Sequence, residues 1–165
     1  MTGAPNLRAP MRLSTIIASV FGIGYFPVAS GTVMSVVAVP FAVMIARGGG
    51  GLAVIAASLI AFVIGIWACG DHVRATGKDD PSECVIDELA GQLLACAGIS
   101  LGFGPGSAPE FALAFLLFRL FDILKPWPIS AAEKLPGGLG VMADDMVAGF
   151  AAAVLGGLVQ YFRVI

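Results

Sequence analysis

LAVIAASLIAFVIGIWAC, from Leu52 to Cys69, runs for eighteen residues without a charge or a proline. As an α-helix at 1.5 Å per residue it extends about 27 Å, close to the ~30 Å hydrocarbon layer of a bilayer. Apolar side chains fall in every register and only Ser58 interrupts them, so the helix has no face suited to water. Gly48-Gly49-Gly50-Gly51 precedes it and Asp71 follows it, which marks both ends.

The rest of the chain repeats this reading. Hydrophobic residues make up 58% of the 165 and charged residues 12%, about half the ~25% charged share of a soluble domain. Mean hydropathy is +0.95. Of the twenty charged residues, eight fall between Asp71 and Glu88 and seven between Arg119 and Asp145. Between these blocks lie the uncharged stretches 13–46, 48–70, 89–109 and 146–162. A backbone in lipid must satisfy its own hydrogen bonds, so these stretches are predicted to be helices. The expected fold is all-α: one membrane-embedded domain over 1–165, a multi-pass bundle of about four to five apolar helices with interfacial loops. A net charge of −2 offers no basic surface to nucleic acid. Gly22, Gly24 and Pro27 break the first apolar run, against a cleaved secretory signal. Cys69, Cys84 and Cys96 lack metal spacing and read as buried thiols.

Expected helices cover Gly31–Ala46, Leu52–Cys69, a third ending near Leu101, Glu110–Leu124 stopped by Pro126, and a last one starting at Asp144. Asp80, Pro81 and Glu83 read as a capping box at the start of the third. Counting crossings puts Gly22–Ser35, Asp71–Glu88 and Arg119–Asp145 on one side of the membrane. Arg8, Arg12, Arg74, Lys78, Lys125 and Lys134 share that side, and Arg47 and Arg163 lie opposite. The positive-inside rule makes it the cytoplasm, which implies a multi-pass protein of the cytoplasmic (inner) membrane.

Those three segments hold the residues suited to chemistry. Asp87 and Glu88 stand at the entry of an apolar helix with Glu83 one turn earlier, and such carboxylates repel unless protonated or bound to a cation. Asp122 lies inside an apolar helix between Arg119 and Lys125, where an Arg119–Asp122 ion pair is the simplest expectation. Lys125 suits a point-charge contact to phosphate. Asp144-Asp145 exceeds what a single N-cap requires. Gly31, Thr32 and Ser35 open a helix whose free N–H groups could hold an anionic oxygen. Hard oxygen ligands in this number, Glu83, Asp87, Glu88, Asp144 and Asp145, suit Mg²⁺; no Cys/His set for zinc exists. His72 is the only histidine, which excludes phosphatases built on two, and no Asp-x-Asp-x-Thr is present.

Three blocks resemble the phosphatidylglycerophosphatase A family: Gly22–Ser35, Asp80–Gly91 (DPSECVIDELAG), and Phe118–Ile129 (FRLFDILKPWPI) continuing through Gly137–Gly149 (GGLGVMADDMVAG). The first departs from the family pattern, with Ser30 where proline is common and Met34 where glycine is common. The resemblance implies Mg²⁺ dependence, a phospholipid phosphomonoester substrate, and one site containing Asp87, Glu88, Asp122, Lys125, Asp144 and Asp145. Catalytic roles then fall to Asp87, Asp122 and Lys125, and phosphate binding to Gly31, Thr32, Ser35 and Lys125. Two other classes fit the residues alone: a small cation channel or carrier with an acidic path, and a non-catalytic lipid-binding membrane subunit. Oligomeric state is open.

Overall fold

A computed structural model describes residues 12–78, 81–102 and 106–162. Arg8, Asp80 and Arg163 lie outside the described residues. Within them the chain is all-helical with no strand: α1 (Leu13–Ala18), a 3₁₀ turn (Ile23–Tyr25), α2 (Ser30–Thr76), α3 (Ile86–Ser100), α4 (Ala108–Leu124), α5 (Ile129–Ala132) and α6 (Gly138–Tyr161).

Two of these, α2 and α6, are long and apolar enough to cross a membrane. α2 is two helical arms, 30–49 and 51–76, joined at Gly50, whose φ of 70° and ψ of −174° are not helical. Gly31 lies against Glu88 at the start of α3, Gly51 against Leu101 at its far end and Gly65 against Ile86 at its start again, so the chain reverses at Gly50 and the glycine run is the turn between the two arms. α3 and α4, at 15 and 17 residues, reach only about 23 and 26 Å. By length and composition, α2 and α6 are the candidate spans among the described residues, and α3 and α4 fall short of one.

α3 sits at the centre, packed against α2 on one side and α6 on the other. Its contact with α6 rests on small residues: a Cβ built on Gly149 would collide with the Gly91 carbonyl, and one on Gly91 would lie 2.6 Å from the Asp145 carbonyl oxygen. Such backbone-to-backbone approach is how helices associate where lipid competes equally for apolar side chains. Ser58 Oγ, the one polar side chain of the deciding stretch, donates to the Ala90 carbonyl at 2.8 Å and pins α2 to α3. Phe118, Ile99 and Val54 fill the core between them.

Two helix starts differ from expectation, and each difference moves acidic residues. α3 begins at Ile86, not near Pro81; its N-cap is Val85, with no side-chain cap. The Val85 N–H instead donates to the Ala18 carbonyl of α1 at 2.9 Å, so tertiary contact replaces the capping box and leaves Glu83 in a turn. α6 begins at Gly138, not at Asp144, after Gly137 at a φ of 59°. Gly138 is packed into the first helical turn, since a Cβ on it would strike the Ile66 carbonyl. Asp144 and Asp145 consequently lie inside α6 and cap nothing. Among the described residues a capping box stands on α4, between Ser107 and Glu110, and α4 ends with Lys125 in a left-handed conformation before Pro126.

Candidate active site

A cavity of about 620 Å³ opens where the start of α2, the start of α3, the end of α4 and the first turns of α6 meet. The segments 22–35, 71–88 and 119–145 all reach it. Gly31, Thr32, Asp87, Glu88, Asp122, Lys125, Asp144 and Asp145 line its wall.

At its base, one carboxylate oxygen each from Asp87, Glu88 and Asp145 lie within 4.8 Å of one another. The first two stand in the first turn of α3, and the third comes from α6 through the Gly91–Gly149 contact. Asp87 Oδ1 also accepts from the Glu88 N–H at 2.9 Å. Glu88 Oε2 and Asp145 Oδ2 are buried without a hydrogen-bond partner. Three like charges so close are held apart from water only at a cost, unless protons or a cation compensate them. Orphaned hard oxygens converging on one point match the demand of a small divalent cation such as Mg²⁺. Among the described residues no other group of three acidic, histidine or cysteine side chains closes in this way. Gly31 contributes by what it lacks: a Cβ there would occupy the place of Glu88 Oε1.

The cations lie on α4. Arg119 pairs with Asp122, as expected for residues three apart, and Asp122 in turn lies against Asp145. Arg119 Nε is buried and has no partner. Lys125 Nζ donates to Asp144 Oδ2 at 2.8 Å and to Glu133 Oε1 at 2.7 Å. Burial pulls the lysine pKa down, but these two hydrogen bonds and their charges outweigh it and raise it above the ordinary lysine range.

Two predicted site residues stand apart. Glu83, counted above among the metal ligands, is engaged elsewhere: its Oε1 meets Lys78 Nζ at 3.2 Å and His72 Nε2 at 3.4 Å. Burial raises its pKa, yet its own backbone N–H, Lys78 and His72 hold it below the usual carboxylate value. Ser35 is buried and donates to the Gly31 carbonyl at 2.8 Å, one helical turn away from the cavity-lining Thr32. Conversely, the sequence reading left out Glu133 and gave Arg119 only an ion pair, although both line the cavity. Arg119 carried a signal, a charge within an apolar helix. Glu133 carried none, because only the turn at Pro126 and α5 brings it back to Lys125.

The model of the phosphatidylglycerophosphatase A family matches residues 16–160. A putative phosphatidylinositol-3-phosphatase of Bacteroides thetaiotaomicron is 31% identical over 163 residues, covering 90% of this chain and 94% of that protein. Phosphatidylglycerophosphatase A of Escherichia coli is 30% identical over 140 residues, covering 84% and 78%. That of Haemophilus influenzae is 36% identical over 105 residues, covering 62% and 61%. No solved structure matches the chain. With a family match across the cavity and every helix that lines it, this chain is a phosphatase belonging to the phosphatidylglycerophosphatase A family.

Proposed function

We propose that this protein hydrolyses the terminal phosphomonoester of phosphatidylglycerophosphate, with Mg²⁺ held by Asp87, Glu88 and Asp145. The observation that carries this reading is the buried triad of carboxylate oxygens within 4.8 Å, in a cavity that also presents Arg119 and Lys125. A cation path would need acids spread through membrane depth, whereas here they gather at one end of the helices. When bound, the ion supplies charge neutralisation at the phosphoryl oxygens.

The chain's own residues do the rest. Asp87, Glu88 and Asp145 provide oxygens and hold them in place through the helix packing beneath. Asp122 orients Arg119, whose remaining N–H donors face phosphate. The first-turn N–H groups of α2 at Gly31 and Thr32 offer neutral donors to the same oxygens. Hydrolysis forms a bond from water oxygen to phosphorus and breaks the ester bond; the glycerol oxygen takes a proton and leaves as the alcohol. The substrate remains in the bilayer and presents only its headgroup. The same reading places the protein in the cytoplasmic (inner) membrane as a multi-pass chain, its cavity on the cytoplasmic side with Arg12, Arg74 and Lys78.

The test is phosphate release by detergent-solubilised protein. Release from phosphatidylglycerophosphate with Mg²⁺, lost in EDTA, is the expected result. Full turnover in EDTA would remove the metal from the account. Release from phosphatidylinositol 3-phosphate alone would move the substrate to the one named for the Bacteroides relative.

A further inference from the structure

Arg119 and Lys125 both stand on the cavity wall, six residues apart along α4. That spacing corresponds to about 9 Å of helix rise. The proposed substrate carries two phosphates, a diester nearer the acyl chains and the monoester at the far end of a glycerol. A three-carbon bridge with its ester oxygens separates the two phosphorus atoms by roughly 7 Å, from ordinary bond lengths. The two cations thus match the substrate's two phosphates in number and, within the reach of their side chains, in separation.

Their surroundings differ in a way that assigns one to each phosphate. Arg119 lies beside the acidic cluster: its partner Asp122 touches Asp145, and its charge acts on Glu88. A guanidinium has five N–H donors; Asp122 takes one through Nη1, and the buried Nε has no partner. A planar fork with spare donors fits the several equivalent oxygens of a monoester. Lys125 stands towards the rim, between buried Asp144 and half-exposed Glu133. Of its three protons two are taken by these carboxylates, which leaves one hydrogen bond for a ligand oxygen. A single donor suits one non-bridging oxygen of a diester, whereas the three terminal oxygens of a monoester ask for the several donors that Arg119 offers.

Resting on the substrate reading above, we propose that Arg119 holds the phosphomonoester to be cleaved and that Lys125 recognises the phosphodiester, making Lys125 a specificity-determining residue. The ion pairs to Asp144 and Glu133 fix where the lysine ammonium stands.

The experiment compares phosphatidylglycerophosphate with phosphatidic acid, which has a monoester and no diester. Wild type should favour the former in kcat/KM by at least about tenfold, the effect of one charge-assisted hydrogen bond. Lys125→Gln should bring that ratio close to one, chiefly through KM for phosphatidylglycerophosphate, and Lys125→Arg should restore it. Arg119→Lys should lower kcat/KM on both lipids alike. A fall on both lipids alike in Lys125→Gln, as a purely structural lysine would give, overturns the assignment. Should that variant not fold, wild type decides: phosphatidylglycerol, which keeps the diester, should inhibit turnover, and diacylglycerol should not. Equal inhibition overturns the proposal. Equal wild-type activity on both lipids also overturns it while leaving the phosphatase reading intact. No phosphate from phosphatidylglycerophosphate overturns that reading itself.

Discussion

Lys125 Nζ donates to Asp144 Oδ2 at 2.8 Å, fastening the left-handed C-cap of α4 to the second turn of α6 across nineteen residues of sequence. The chain between them turns at Pro126, forms α5 and returns Glu133 to the same ammonium at 2.7 Å. One side chain therefore closes a loop that a helix-by-helix reading leaves open. Asp144 is buried, with its other oxygen lacking a partner, so the lysine supplies the positive charge that makes its burial tolerable.

Lys125→Met should thus destabilise the protein by about 2 kcal/mol. That is less than the ~3–5 kcal/mol for breaking a fully buried pair, because the lysine keeps some exposure. Lys125→Met/Asp144→Asn should recover part of the loss, and thermal melting in detergent measures both. The pH dependence follows from the raised lysine pKa. A group raised on folding contributes its full stability below its unfolded pKa and loses it as pH climbs through the folded value. The gap between wild type and Lys125→Met should stay constant from neutral to about pH 10 and close only above it. A gap closing near neutral pH would mean the pair does not hold the lysine charged.

Asp87→Asn and Asp145→Asn should each reduce turnover by more than about 100-fold, since loss of a ligand exceeds the 10- to 100-fold effect of its supporting partners. Mg²⁺ should raise the melting temperature of wild type and leave these variants unmoved, because only a bound ligand shifts stability by mass action. In EDTA the order should reverse, with Asp145→Asn melting above wild type as one of three crowded charges disappears. Variants that melt below wild type in EDTA would show that the triad is not repulsive when empty of cation.

Gly31→Ala and Gly149→Ala separate site from scaffold. The methyl at residue 31 would displace the Glu88 carboxylate, the movable end of a flexible side chain. Turnover should fall at least about tenfold and the Mg²⁺ midpoint rise, with melting nearly unchanged. The methyl at residue 149 would meet the Gly91 backbone, which cannot step aside, and should cost about 1–3 kcal/mol. Equal melting of the two variants would contradict the packing described.

Much of this site was legible in the sequence because its signals are chemical: acids and bases interrupting apolar helices stand out. Asp87, Glu88, Asp122, Lys125 and Asp145 could be named without coordinates. What was hidden depends on direction. Neighbours on a helix point about 100° apart, so Asp145 joins Asp87 and Glu88 while Asp144 turns to Lys125. Nothing in Asp144-Asp145 says which does which until α4 is placed. The helix starts differ from the sequence pattern for a related reason. Val85 is held by Ala18, and Gly138 fits against the Ile66 carbonyl of α2; both are tertiary contacts overriding local capping rules. Ser35 follows Thr32 in a pattern suited to anion binding, yet its hydroxyl satisfies its own helix.

Glu83 offers the sharpest test of that boundary between sequence and structure. By spacing it shares a helix face with Asp87, which makes it one of five candidate metal ligands in the sequence. The structure puts it in a turn before α3, held by Lys78 at 3.2 Å and beside His72 at 3.4 Å. His72 is itself anchored, with Nδ1 3.0 Å from Thr15 Oγ1 of α1. Glu83 thus ties the α3 entry to α2 and, through His72, to α1, and it does not line the cavity. Glu83→Gln should leave the Mg²⁺ midpoint of turnover unchanged, in contrast to Asp87→Asn. It should lower stability modestly, by about 1 kcal/mol, the scale of a partly exposed ion pair. Because folding depresses the Glu83 pKa, its contribution is present above the unfolded value and disappears as pH falls through the folded one. Wild type and Glu83→Gln should therefore differ in melting at neutral pH and converge below about pH 4. A Mg²⁺ midpoint shifted as far as that of Asp87→Asn would return Glu83 to the ligand set, and the turn at 81–85 would then have to refold to bring it there.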